Sequence, residues 1–252
     1  MLVMAGGCQA DPGAMKTDLV SGKSGGSMKK MVVANWKAYL SADRARQWCD
    51  VFAEVYRPRL DMDVVIAVPA LFMESVAKWA QPIAGVSLAA QGVSSYPQGS
   101  YTGSTPAAWL RGLARYTLIG HRERRQYFRE TTQDVARQVY ESLVEDLHPI
   151  VCFGRDQIVT QAAAMASEEL PKLIWAYTPE TPATLEMARS EADITAVLPT
   201  VARATDNRPI LYGGGVTVEN ASRLWSLPGL SGIMLGKACL DAAAFAGLVN
   251  RL

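Results

Sequence analysis

"MVVANWKAYLSADRARQWCDVFAEVYRPRLDMDVVIAVP", residues 31–69, opens with a short apolar run rich in β-branched residues and passes through turn residues into a stretch of helical period, Ala42 to Arg57. It then returns to a second apolar run, DVVIAVP. Strand, turn, helix and strand follow one another at the spacing of an α/β unit.

Read outward, the pattern recurs. The strand candidates are MVVANW, DVVIAVP, VSLAAQ, YTLIG, PIVCFG, LIWAY, PILYGG and GIMLG, with helical stretches such as Thr131 to Asp146 and Ala238 to Asn250 between them. Eight strand–helix units in this length predict a single (β/α)8 barrel over residues 28–252; a doubly wound sheet is the alternative. The segment before it, residues 1–27, is rich in small residues and lacks apolar periodicity, so it is expected to be a disordered leader or an added extension.

At 252 residues and 49% hydrophobic the chain can bury a full core, and a formal net charge of +1 gives no electrostatic case for nucleic acid or an anionic membrane. No apolar run reaches the roughly 18 residues of a membrane helix. Cys8, Cys49, Cys152 and Cys239 form neither a CxxC pair nor a metal spacing, and His121 and His148 are the only histidines. The expectation is a reduced, cytoplasmic protein with no metal and no cofactor.

In such a barrel the C-terminal strand ends carry the site. The first ends in Asn35, Trp36 and Lys37; strand alternation predicts that Asn35 and Lys37 share a face, and a lysine in a barrel mouth needs either an anion or a route to solvent. The fourth ends in LIGHRERRQYF. His121 precedes a helix start, which disfavours its protonation, and Glu123 is positioned to hold Lys37. Arg124 and Arg125 read as surface or interface charges. The seventh and eighth end in YGGGVT and MLGKACL, where glycine backbone N–H groups favour a phosphate.

Together ANWK (Ala34 to Lys37), AQGVSSYPQGSYTG (Ala90 to Gly103), LIGHRERR (Leu118 to Arg125) and YGGGV (Tyr212 to Val216) resemble the triosephosphate isomerase family, in order and over the whole chain from Met28. The resemblance implies a TIM barrel that interconverts glyceraldehyde 3-phosphate and dihydroxyacetone phosphate or a related small sugar phosphate, in glycolysis and gluconeogenesis. Lys37 and Asn35 would engage substrate, His121 would be the electrophile, and backbone at Gly213, Gly214, Gly215 and Gly236 would hold the phosphate. It also implies a homodimer through Gln91 to Ser104, although Ser104 replaces the glutamate expected after TG.

One half of the site departs from the family. Where AYEPVWAIGTG supplies the carboxylate base and a closing lid, this chain has AYTPETPAT: Thr178 occupies the base position, and the chain is expected to pass from Pro179 almost directly into the next helix. Glu180 is either a relocated base or part of that helix start, with Thr181 as cap and Pro182 at the first position. Arg155 replaces the glutamate after CxG, Gly215 replaces a serine, and Lys237 replaces a glycine, either adding charge toward an anion or filling the phosphate position. The expected function is weak or altered isomerisation, or a non-catalytic barrel that binds a phosphorylated ligand.

Overall fold

A computed structural model of the chain describes residues 29–179 and 188–252. Eight parallel strands close on themselves in chain order: β1 (Lys30–Asn35), β2 (Met62–Val68), β3 (Val86–Ala90), β4 (Tyr116–Ile119), β5 (His148–Phe153), β6 (Ile174–Tyr177), β7 (Ile210–Tyr212) and β8 (Gly232–Leu235). The expected barrel is present, and each strand candidate lies where its apolar run placed it. Residues 1–27, expected as a leader or added extension, lie outside the described residues.

Strand alternation divides the core into two layers. Met31, Val33, Val65, Ala67, Leu118, Ile150, Cys152, Ala176, Leu211 and Met234 fill the barrel interior. Their neighbours Val32, Ala34, Val64, Ile66, Val151, Trp175 and Ile233 face the helices. The closure between β8 and β1 depends on Gly232: with φ +158°, a Cβ there would stand 2.0 Å from Met31 O.

The outer layer comprises α1 (Ala42–Val55), α2 (Met73–Ala80), α3 (Arg122–Tyr127), α4 (Thr132–Val144), α5 (Ile158–Ala163), α6 (Glu191–Ala204), α7 (Ala221–Trp225) and α8 (Ala242–Val249). Between β3 and β4 the described element is only a 3-10 turn, Ala107–Leu110. Helix α1 starts at Ser41, whose side chain accepts from Arg44 N–H, and buries Trp48 and Phe52 against Phe245 of α8. Helix α4 starts with a full capping box, Thr131 with Asp134. No helix among the described residues is long and apolar enough to cross a membrane.

After β6 the described chain runs to Pro179 and resumes at residue 188. The next described helix, α6, begins at Glu191 with Ser190 as its cap, Ser190 Oγ accepting from Asp193 N–H at 3.1 Å. The expected passage from Pro179 into a helix falls on residues 180–187, outside the described residues. The Ser190–Asp193 pair supplies a side-chain acceptor to an orphan N–H and a carboxylate to the first turn. Glu180, Thr181 and Pro182 lie outside the described residues.

Candidate functional site at the C-terminal rim

The interior parity of β1 carries Asn35 into the barrel mouth, where it is 4% exposed. Lys37 does not continue that alternation. Its φ is +49°, in the left-handed region that side chains seldom adopt, and its N–H donates to Asn35 Oδ1 at 3.0 Å. Gln91 completes the turn: its Nε2 donates to Lys37 O at 3.1 Å and to Ala67 O at 2.8 Å. Sequence reading placed Gln91 only at the edge of the dimer loop. Its long amide side chain ties the ends of β1, β2 and β3 together.

This turn sends the Lys37 side chain across the mouth to Glu123, Nζ to Oε1 at 2.8 Å. A Cβ at Gly236 would lie 3.2 Å from Lys37 Cε and 3.5 Å from Nζ, so the glycine leaves room for the lysine beside the β8 loop. Lys237, by contrast, is exposed on the 3-10 turn that follows.

His121 caps α3 with its ring. Nδ1 accepts the Glu123 backbone N–H at 3.3 Å, which leaves the ring proton on Nε2. Glu123 Oε2 is also 3.5 Å from Nδ1, a contact that would be an ion pair only if the imidazole were charged. It is not charged near neutral pH. Burial pushes the pKa down, Glu123 pulls it up, and the charges of Lys37 and Arg122 push it down again, to about 4. Glu123 itself stays ionised: burial raises its carboxyl, but the Lys37 hydrogen bond and neighbouring positive charges hold it below the ordinary range.

Arg124 and Arg125, expected as surface or interface charges, also serve as structural ties. Arg124 pairs with the buried carboxylate of Glu130. Arg125 Nε donates to Gly120 O at 2.8 Å, and its Nη2 reaches Cys152 O at 3.2 Å and Gln161 Oε1 at 2.7 Å. It binds the ends of β4 and β5 to α5.

The glycines after β7 divide by role. Gly213 N–H donates to Tyr177 O at 2.9 Å, continuing the barrel ladder, so the expected phosphate donor there is engaged with β6. Its small size is what the site uses, since a Cβ would meet Met234 Cε at 2.6 Å and Thr178 Cγ2 at 3.2 Å. At Gly214 a Cβ would strike Pro179 Cγ at 2.6 Å. Gly215 turns with φ +60°, and Asn220, which sequence reading passed over, holds it by donating Nδ2 to Gly215 O at 2.9 Å. Residues 216–220 stand between this loop and α7.

Thr178 follows Ala176 on the interior face of β6 and is 2% exposed. Its N–H donates to Phe153 O at 2.9 Å, and its hydroxyl lies 3.4 Å from the same carbonyl. A neutral hydroxyl facing a carbonyl oxygen has no basic lone pair comparable to a carboxylate. Past it, Arg155, exposed on the 3-10 turn after β5, and Tyr177, Pro179 and Arg189 border a cavity of about 330 Å³. Arg189 N–H donates to Tyr212 Oη at 3.0 Å, fixing the chain just before α6 against β7.

The segment from Gln91 to Ser104 leaves this rim and returns through Ser94 N–H to Thr105 O at 2.7 Å. Tyr96 and Tyr101 stack on it with centroids 4.6 Å apart while each remains 42% exposed.

Fold and rim together define a (β/α)8 barrel whose polar groups gather at the C-terminal strand ends, with paired lysine and glutamate, a neutral histidine and two glycine loops. Comparison with known proteins narrows the class. The model of the family described as "Triosephosphate isomerase" matches residues 30–252. The triosephosphate isomerase of Stenotrophomonas maltophilia is 34% identical over 247 residues, covering 88% of this chain and 97% of the relative. That of Herminiimonas arsenicoxydans is 32% identical over 250 residues, covering 88% and 98%. The chain belongs to the triosephosphate isomerase family.

Proposed function

We propose that this barrel binds a small phosphorylated sugar at its β7 and β8 glycine loops and keeps the electrophilic half of an aldose–ketose isomerase without its base. Lys37 draws the anionic substrate into the mouth, and Asn35 holds the lysine's backbone for that task. The Nε2–H of neutral His121 polarises the substrate carbonyl, since a hydrogen-bond donor stabilises the oxyanion as it forms. This family is itself the standard example of a neutral imidazole used in that way. Gly214, Gly215 and Gly236 supply the phosphate cradle, and the substrates are those of the named relatives, glyceraldehyde 3-phosphate and dihydroxyacetone phosphate.

The observation that carries the reading is Thr178: the interior residue after β6 is a buried hydroxyl directed at Phe153 O. Removing a general base lowers rates by about 10²–10⁴, so interconversion is slow and phospho-ligand binding outlasts it. The same residue favours the second reading, a non-catalytic ligand-binding barrel. Both readings are of a homodimer joined through Gln91 to Ser104, whose exposed tyrosine stack offers a stable face to a second copy.

The test follows interconversion of the two triose phosphates by the wild-type protein, His121→Ala and Glu180→Gln, with glycerol 3-phosphate added in a parallel thermal melt. A slow rate lost in His121→Ala supports the impaired isomerase. Ligand-induced stabilisation with no rate leaves the binding barrel. Turnover at ordinary rates, on the order of 1–10³ per second, contradicts both, and a rate lost in Glu180→Gln makes Glu180 the base.

A further inference from the structure

Asn220 is bonded through both ends of its amide. Its Nδ2 donates to Gly215 O at 2.9 Å and its Oδ1 accepts the Thr217 N–H at 2.9 Å, so one side chain closes the turn between the β7 glycines and α7. Of the three glycines in that loop only Gly215 is left-handed, at φ +60°. A left-handed residue within a turn is the backbone form that brings successive N–H groups together around an anion. Here those groups belong to Gly214, Gly215 and Val216. Among the described residues none of the three has a protein acceptor, whereas Gly213 N–H is taken by Tyr177 O and Thr217 N–H by Asn220. The peptide joining Gly215 to Val216 is trans, so its N–H points opposite to its carbonyl. Holding Gly215 O toward Asn220 therefore aims the Val216 N–H away from Asn220, and the hydrogen bond on the carbonyl polarises the same peptide and strengthens that donor.

We propose that Asn220 is a positioning residue for the ligand's phosphate: it does not touch the ligand, and it sets the direction of the backbone donors that do. The inference rests on the phosphate-binding reading above and identifies what gives the first glycine loop its shape. Glycine by itself populates both signs of φ, so a neighbour must select the left-handed form. Asn220 selects it through the Gly215 carbonyl, and is itself located by its own N–H, which donates to Thr217 Oγ1 at 3.4 Å. On the other side Pro179 confines Gly214, its Cγ lying 2.6 Å from where a Cβ would stand. Donors that converge on one anion stabilise each added negative charge, so a cradle of this form favours the phosphate dianion over the monoanion. Glu219, beside Asn220, contributes no titration of its own near neutral pH: a hydrogen bond with the Thr217 side chain holds its carboxyl below the ordinary range.

Phosphorus-31 NMR of glycerol 3-phosphate bound to the protein, followed between pH 5.5 and 8, reads the ionisation of the phosphate in place. His121, pushed down to about 4 chiefly by burial, stays neutral over this range, so the phosphate is the group observed. Its second pKa is about 6 in solution. The expected result is a bound phosphate already dianionic at pH 5.5 in the wild-type protein and titrating near about 6 in Asn220→Ala, with binding weakened at least about tenfold, the scale of one hydrogen bond to a charged group. An asparagine that merely held the fold would lower affinity or melting temperature and leave the bound phosphate dianionic; that outcome overturns the role, as does unchanged affinity. Where Asn220→Ala does not fold, Asn220→Asp takes its place, since it keeps the acceptor for Thr217 N–H and lacks the donor to Gly215 O; wild-type affinity in that variant also overturns the role. A wild-type protein that binds the probe but lets it titrate near about 6 leaves phosphate binding standing and removes Asn220 from it. No binding to the wild-type protein overturns the phosphate-binding reading and this one with it.

Discussion

Lys37 Nζ lies 2.8 Å from Glu123 Oε1, and the lysine reaches it from a left-handed backbone fixed by Asn35 and Gln91. A charged group is thus held at the mouth by neighbours on three strand ends. Both partners keep partial access to water, so the pair contributes little to folding, about 0–1 kcal/mol as for surface pairs.

Lys37→Ala is accordingly expected to leave the urea midpoint almost unchanged while weakening glycerol 3-phosphate binding by about 10- to 100-fold, the scale of one charge-assisted hydrogen bond. Calorimetric titration of folded variant and wild type checks this. Unaltered affinity would remove Lys37 from the binding site.

His121 predicts a pH dependence of known sign. Its folded pKa is depressed to about 4, below its unfolded value near 6.5, so between these values the unfolded chain binds more protons than the folded one. Stability is therefore full above about pH 6.5 and falls as pH drops toward 4, by up to about 1.4 kcal/mol per pH unit from this one group. His148, depressed chiefly by burial, acts in the same direction. Urea unfolding at pH 7.5, 6 and 5 should show the slope, and His121→Asn should make it shallower.

Gly232 closes the barrel. Because a Cβ would stand 2.0 Å from Met31 O, Gly232→Ala is expected to cost more than about 3 kcal/mol, the upper range of ordinary substitutions. For a chain of this size that is a fall in melting temperature of roughly 6–12 °C or more. Calorimetry gives the answer directly, and a near-neutral result would show that β8 can shift against β1.

The exposed Tyr96–Tyr101 stack predicts self-association. Sedimentation equilibrium is expected to return a dimer for the wild-type chain and a monomer for Tyr101→Asp. A wild-type monomer at micromolar concentration would exclude Gln91 to Ser104 as an interface.

Much of this was legible in the residues because strand alternation is a local signal. Eight apolar runs located eight strands, and alternation along β1 carried Asn35 into the mouth, although Lys37 left it at φ +49°. The remainder depended on contacts distant in sequence. Gln91 reaches back to Lys37 O, Asn220 holds Gly215, and Arg125 spans β4, β5 and α5. Nothing in their own neighbourhoods marks those partners. The helix start expected at Thr181–Pro182 lies outside the described residues, and the described α6 uses Ser190 as its cap with Asp193 three residues on.

Under the proposed function, His121 and Lys37 await a carboxylate at the end of β6, where Thr178 stands. The most direct measurement is kcat/KM for glyceraldehyde 3-phosphate in Thr178→Glu relative to wild type. A gain of at least about tenfold, toward the roughly 10²–10⁴ typical of a general base and abolished by adding His121→Ala, is the predicted result. Equal or lower activity in a folded, ligand-binding Thr178→Glu protein would contradict it.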